Sequence, residues 1–304
     1  MKGLLEDTDN LLFKDFRSKI KLIKKVSDET PARKGKRIRS TVLFLLAGMN
    51  GSPAEELPSI AASVETFHLS SLIHDDVVDN SQLRRGAKTL NSSFGNHISV
   101  LWGDYLFINS LFSIHKIRKA EILDIMLESG LLMIEGQLLE IENHFNTKVK
   151  IATYIDIIQK KTSSLFAGVC KIAAQLNGES PERVEAFYKF GMDFGTIFQV
   201  IDDVLDIFSD NSGKDRFRDL KEGKITLPLI LLLKGQKVDI PEKVTPADQE
   251  RFLRLMETHG VKRQCLDYID GYYNDCVAFI QPFPESKFKD SLLNLLSFIR
   301  YRDY

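Results

Sequence analysis

Two stretches of the chain repeat one spacing of carboxylates. Residues 72–86 read LIHDDVVDNSQLRRG, with Asp75, Asp76 and Asp79, and residues 198–208 read FQVIDDVLDIF, with Asp202, Asp203 and Asp206. On a helix, positions i and i+4 lie one above the other, so Asp75 and Asp79 share a face, as do Asp202 and Asp206. Like charges packed on one face are destabilising unless cations neutralise them. Hard oxygen ligands without histidine or thiolate partners point to Mg²⁺, which keeps waters and is usually shared between one or two carboxylates and substrate phosphates. A single copy of the pattern reads equally well as a solvated helix face. Two copies, each after an apolar helix and each followed by basic residues, point to metal ions.

The basic residues complete this chemistry. Arg84 and Arg85 follow the first motif, and SGKDRFRDLKEGKITLP follows the second, with Lys214, Lys221 and Lys224. Lys36, Arg37 and Arg39 lie in RKGKRIRS, and Lys160, Lys161 and Thr162 in IQKKTSSLF. A basic run by itself is usually solvated surface. Beside metal-binding carboxylates, fixed cations suit a diphosphate: arginine offers paired planar hydrogen bonds to phosphate oxygens and lysine a point charge. An enzyme that ionises a carbon–diphosphate bond must stabilise the negative charge of the leaving group. His74, beside Asp75, would also fit a metal-dependent His-Asp phosphohydrolase, but no matching set of histidines lies near other carboxylates.

The elements that must hold these residues are helices. Apolar residues recur at three- and four-residue steps over 4–23, about 52–79, 97–116, 119–143, 151–177, 181–208, 246–258, 261–280 and 285–303. Ser52-Pro53 is a helix-start signal for the second of these. No run alternates as a strand does between hairpin turns, and no fixed-period repeat or linker appears. The spacing predicts one all-α domain over 1–304, a single bundle of long helices. The segment SVLWGDYLFINSLFSI, with the only tryptophan, Trp102, is apolar on several faces. That suits either a central buried helix or a subunit interface.

Composition sets the bounds. Of the 304 residues, 43% are hydrophobic and 27% charged, as in ordinary globular proteins, and the net charge of −1 leaves no general footprint for nucleic acid or anionic membrane. Cys170, Cys265 and Cys276 are widely spaced in apolar helical contexts and read as reduced core residues of a cytoplasmic protein. No apolar run reaches the roughly 18 residues of a transmembrane helix, and the N-terminus lacks the apolar region of a signal peptide.

With these motifs, the chain resembles the trans-type polyprenyl diphosphate synthases. DDVVD followed by LRRG resembles the family's first aspartate-rich motif and FQVIDDVLD its second. FGNHISVLWGDYLF, IEGQLLEIE, KKTSSLFAGVC and DLKEGKITLP have counterparts in the same order, so the resemblance runs from GKRIRS to FIRYRDY. It implies the isoprenoid synthase type I fold, long helices around a deep central cavity, usually as a homodimer. The implied reaction is Mg²⁺-dependent head-to-tail condensation of isopentenyl diphosphate onto an allylic diphosphate such as farnesyl or geranyl diphosphate, with three Mg²⁺ ions when substrate is bound. Asp75, Asp79 and Asp202 match direct metal ligands, while Asp76, Asp203 and Asp206 match residues that support water ligands and helix geometry. Arg84, Lys161, Gln199 and Lys224 would hold the allylic diphosphate, and Lys36, Arg39, His68 and Arg85 isopentenyl diphosphate, with Thr162 and Lys214 further substrate-binding residues. His68 reads as a core histidine without the family match.

Lys88 stands where the family often has proline, and Phe217 where it often has glycine, so the loop bearing Lys214 is expected to close differently. Ser70 and Ser71 lie about one helical turn before Asp75. In the family, bulky aromatics there stop chain growth early, so serines imply a medium- to long-chain product of the kind used for quinone side chains. Small residues that merely let two helices pack closely are the plainer explanation. A short-chain farnesyl or geranylgeranyl diphosphate synthase, a terpene cyclase and a non-catalytic regulatory subunit are the alternatives. The two complete motifs and the second basic site argue against the last two.

Overall fold

Helical periodicity carries through almost every element the sequence marks. The computed structural model describes residues 2–12, 18–30, 35–49, 55–84, 86–209, 216–235, 238, 240–241 and 244–302. They divide into two compact units, residues 1–127 with 172–179, and residues 128–171 with 180–304.

The first unit opens with α1 (Lys2–Leu11), α2 (Lys21–Glu29) and α3 (Ile38–Met49). The single amphipathic run expected over 4–23 is therefore at least two helices. Next comes α4 (Leu57–Val78), which ends in the first aspartate motif. Its first turn takes Pro58, where a missing N–H costs nothing; the expected Ser52-Pro53 start lies outside the described residues. A two-residue hairpin that periodicity did not predict, β1 (Leu83–Arg84) with β2 (Ala87–Lys88), follows the motif. Gly86 supplies the positive φ, 77°, that its turn requires. After α5 (Leu90–Phe94) comes α6 (Asn96–Ile117), which packs along α4. Trp102 is buried between α2 and α6: its indole N–H donates to Thr30 Oγ1 at 3.0 Å, and its ring stacks on Tyr105. The opposite face of α6 leaves Leu101, Ile108 and Phe112 more than half exposed. The helix thus has one buried face and one uncovered apolar face.

The chain continues through α7 (Ala120–Glu142) and α8 (Ile151–Ile158) to a π-helical turn at Gln159–Ser163, then α9 (Ser164–Leu176). The helix predicted over 151–177 is thus interrupted at the residues that carry Lys161 and Thr162. The longest helix is α10 (Pro181–Phe208), started by the Ser180 side chain, which accepts from the Arg183 N–H, and by Pro181. It carries the second motif and packs against α14 (Val261–Ile280) through a run of aromatic rings, Phe187, Phe190 and Phe279. Phe187 and Phe190 are buried, and each contributes about 2–3 kcal/mol by leaving water. Shorter helices, α11 (Arg218–Lys221), α12 (Leu227–Gly235) and α13 (Pro246–Thr258), precede α14, and α15 (Lys287–Tyr301) closes the unit. All three cysteines are buried and free. No helix among the described residues is long and apolar enough to cross a membrane.

Candidate active site

In the first unit, the final turn of α4 presents Asp75 and Asp79 half-buried and Asp76 buried, and the Asp79 N–H bonds the Asp75 carbonyl at 2.8 Å. Arg84 reaches back from the hairpin, its Nε 2.8 Å from Asp76 Oδ1. The hairpin is itself fixed to the motif, since the Ser81 N–H and the Asn91 amide both donate to the Asp76 carbonyl. Asp76 therefore joins helix to hairpin. Arg85 lies outside the described residues. His74 turns towards α6, with Nε2 3.3 Å from Asp104 and 3.3 Å from the Val100 carbonyl, so it stands apart from the carboxylate face.

Lys36 is exposed and Arg39 buried at the start of α3, and His68 is half-buried on α4. Glu65, one turn before His68, accepts from both the Ser40 N–H (3.1 Å) and its hydroxyl (2.7 Å), and lies 3.5 Å from Arg37. It thereby ties the first turn of α3 to the His68 level of α4. Ser70 is buried and donates to the Gly103 carbonyl at 2.9 Å, whereas Ser71 is half-buried and bonds the carbonyl of His68. Position 70 is therefore a packing position between α4 and α6.

In the second unit, Asp202, Asp203 and Asp206 share the last turns of α10. Asp203 is buried and accepts from Tyr154 (2.6 Å) and from the Gln199 amide (2.8 Å), whose carbonyl in turn accepts from Thr162 (2.8 Å). A chain of hydrogen bonds therefore orients two expected substrate residues, Thr162 and Gln199, from the supporting aspartate. Lys161 pairs with Glu140 at 2.6 Å and Lys224 with Glu222 at 2.7 Å. Lys214 lies outside the described residues. Phe217 adopts φ 57°, the left-handed conformation that glycine favours, with its ring buried near Phe252 and its N–H on the Asp206 carbonyl. The chain meets the glycine-like geometry at this position with a strained aromatic.

Asp219 joins this group, its N–H 3.4 Å from Asp206 Oδ2. Burial, then Asp219, pushes Asp206 up to about 7, and burial pushes Asp219 up to about 6, against the pull of Lys224. Burial and then Asp219 also hold Asp203 well above the usual carboxylate range. Burial, then Asp203, raises the Tyr154 phenol. Burial, and secondly the mutual repulsion of these carboxylates, thus disfavours their charged forms here. The Arg302 guanidinium sits on Asp202 Oδ1. Among the described residues, no three His, Cys, Asp or Glu side chains converge as a closed metal cage. All-oxygen donors in ones and twos fit Mg²⁺, which takes its remaining ligands from water and phosphate. Sequence reasoning did not assign Glu65, Glu140, Tyr154, Asp219, Glu222 or Arg302. Glu140, Asp219, Glu222 and Arg302 stood inside quoted motifs; Glu65 and Tyr154 left no spacing signal.

The polyprenyl synthetase family model matches residues 20–261. The chain belongs to the polyprenyl synthetase family. It is accordingly a prenyltransferase, a polyprenyl diphosphate synthase with the all-α isoprenoid synthase fold, and its family depends on a divalent metal. It is 32% identical over 280 residues to an octaprenyl diphosphate synthase of Haemophilus influenzae, covering 89% of this chain and 85% of that one. A geranylgeranyl diphosphate synthase of Methanosarcina mazei is 33% identical over 284 residues, covering 89% and 86%. Among solved structures, a polyprenyl synthase from Caulobacter crescentus complexed with calcium and isoprenyl diphosphate superposes with a TM-score of 0.91. It is 28% identical, with 100% of this chain and 96% of that one covered. Relatives of similar identity thus carry different product lengths in their names.

Proposed function

We propose that this synthase condenses isopentenyl diphosphate head-to-tail onto farnesyl or geranyl diphosphate with Mg²⁺, all of residues 1–304 forming one catalytic domain. The product is longer than geranylgeranyl diphosphate and of the kind used for quinone side chains, and the enzyme works in the cytoplasm as a homodimer. One observation carries the reading: Lys161 and Lys224 are gathered with the second aspartate motif through Glu140, Glu222 and Asp219. Fixed cations beside an acidic metal-type cluster suit a diphosphate leaving group and little else.

Asp75, Asp79 and Asp202 would hold the ions, which when bound draw electron density from the diphosphate oxygens. Arg84, Lys161, Gln199 and Lys224 orient the allylic diphosphate and offset the charge that develops as its C–O bond breaks. Lys36, Arg39, His68 and Arg85 hold isopentenyl diphosphate so that its double bond meets the allylic carbon. The proton lost afterwards goes to the released pyrophosphate, a base left beside the new chain by the bond cleavage itself. Ser71 leaves room for a growing chain.

The dimer is supported by uncovered apolar residues at helical spacing, Leu101, Ile108 and Phe112 on α6 and Leu131, Ile134 and Leu138 on α7. A monomer in sedimentation at micromolar concentration would remove it. Purified protein incubated with Mg²⁺, farnesyl diphosphate and labelled isopentenyl diphosphate should give labelled products beyond C20. Chromatography that finds only C15 or C20 chains would overturn the length, and no condensation at all would overturn the reaction.

A further inference from the structure

Asp202 is engaged by the other end of the chain. Arg302, just past α15, donates from Nη2 to Asp202 Oδ1. Its side chain is 3% exposed, although Asp202 is 44% exposed. Its guanidinium carbon lies 5.0 Å from the ring centroid of Phe198, one turn before Asp202 on α10. A buried guanidinium needs an anionic acceptor to offset its lost hydration, and an aromatic face beside it adds to the hold.

We propose that Arg302 is a positioning residue that occupies Asp202 until a divalent cation arrives, and that the cation expels it from α10. The proposal rests on the reading of Asp202 as a metal ligand. A dication about 2.1 Å from a carboxylate oxygen and a guanidinium bonded to that same oxygen would stand only ~4 Å apart. At a half-buried site such like charges are poorly screened, so both cannot stay. The coupling is reciprocal: whatever Arg302 loses on metal binding, the metal loses to Arg302. In the metal-free enzyme the arginine fixes the Asp202 carboxylate and pins residues 300–302 to α10. In the loaded enzyme those residues are released as the ion takes their anchor.

The test uses the full chain with Mn²⁺ and inorganic pyrophosphate. Mn²⁺ binding is followed by electron paramagnetic resonance in the wild type, Asp202→Asn, Arg302→Gln and Arg302→Lys. Amide hydrogen exchange is followed at residues 300–302. Arg302→Gln should tighten the Asp202-dependent Mn²⁺ by roughly fivefold, the upper end for a partly exposed ion pair. Arg302→Lys, which keeps a competing cation, should restore the wild-type affinity. Mn²⁺ with pyrophosphate should speed exchange at 300–302 in the wild type. Unchanged or weaker Mn²⁺ binding in Arg302→Gln, or unchanged exchange at 300–302, overturns the proposal. If Asp202→Asn binds Mn²⁺ as the wild type does, the metal-ligand reading of Asp202 itself fails, and the proposal with it.

Discussion

The Ser70 hydroxyl donates to the Gly103 carbonyl at 2.9 Å and so joins α4 to α6 one turn before the first aspartate motif. The contact is close on both sides, for a Cβ placed on Gly103 would come within 2.3 Å of His74 Nε2. The size of residue 70 is therefore governed by helix packing, which supports the plainer explanation for that serine. Ser71, half-buried and bonded to the His68 carbonyl of its own helix, is the better probe of product length. Ser71→Phe should shorten the product while sparing the first condensation, as chromatography of the chains would show. Ser70→Phe should instead lower the melting temperature sharply, and Ser70→Ala should cost about 1 kcal/mol, one hydrogen bond. An unchanged product in Ser71→Phe would count against the open-cavity reading.

Asp75→Ala and Asp202→Ala should each lower kcat by about 100-fold or more, the scale of losing charge stabilisation at a leaving group. Chelation should abolish turnover reversibly. Steady-state rates across a Mg²⁺ titration check both, and near-wild-type rates at saturating Mg²⁺ would remove these residues from the metal set.

Arg39, buried at the start of α3, and Lys224, paired with Glu222, lie in different motifs and should separate the two substrates. Arg39→Ala should raise KM for isopentenyl diphosphate roughly tenfold or more, the worth of a charge-assisted hydrogen bond. Lys224→Ala should chiefly lower kcat, because it offsets charge on the leaving group. A rise confined to the allylic KM in the Arg39 variant would reverse the assignment.

Helix positions were readable from the apolar period, since burial on one face imposes it: α10 and α14 match their expected ranges residue for residue. The carboxylates and the basic residues were readable because their chemistry is local. Partner choice was not. Nothing in the spacing of Glu140 or Glu222 says that each meets a particular lysine, and Arg302 lies 100 residues from Asp202. The hairpin after the first motif escaped because two-residue strands are too short to alternate. The π-helical turn escaped because it lies within an unbroken apolar pattern.

Phe217 inverts the usual ranking of alanine and glycine. Removing its buried ring costs about 3 kcal/mol or more, but glycine at φ 57° recovers about 1 kcal/mol of backbone strain that alanine keeps. Both variants should be less stable than the wild type, with Phe217→Gly the more stable of the two in urea unfolding. The opposite order would show that the strain is negligible.

The buried thiols set an alkaline limit. Burial raises Cys170 and Cys265 well above the ordinary thiol value of 9.0, so the folded chain keeps protons that the unfolded chain releases. Their contribution is fully present below pH 9.0 and is lost as pH rises towards the folded values. Each thiol should add about 1.4 kcal/mol per pH unit to that decline. Denaturant midpoints from pH 8 to about 11 should fall less steeply in Cys170→Ala than in the wild type. Equal slopes would remove Cys170 from the cause.

The π-helical turn at Gln159–Ser163 carries one residue more than an α-helix needs for the same advance. It is held between two glycines: a Cβ on Gly136 would meet the Lys161 nitrogen at 2.5 Å, and one on Gly195 the Ser163 Cα at 2.5 Å. The extra residue widens the turn without changing the phase of the helices on either side. It lets α8 and α9 each keep an apolar face inward while turning Lys161 and Thr162 to the acidic side. Deleting any one residue of the five would let the backbone close into continuous α-helix, leaving α8 and α9 in phase but closing the wide turn that carries Lys161 and Thr162. This stretch should therefore tolerate no change of length, a constraint on its count of residues as much as on their identity.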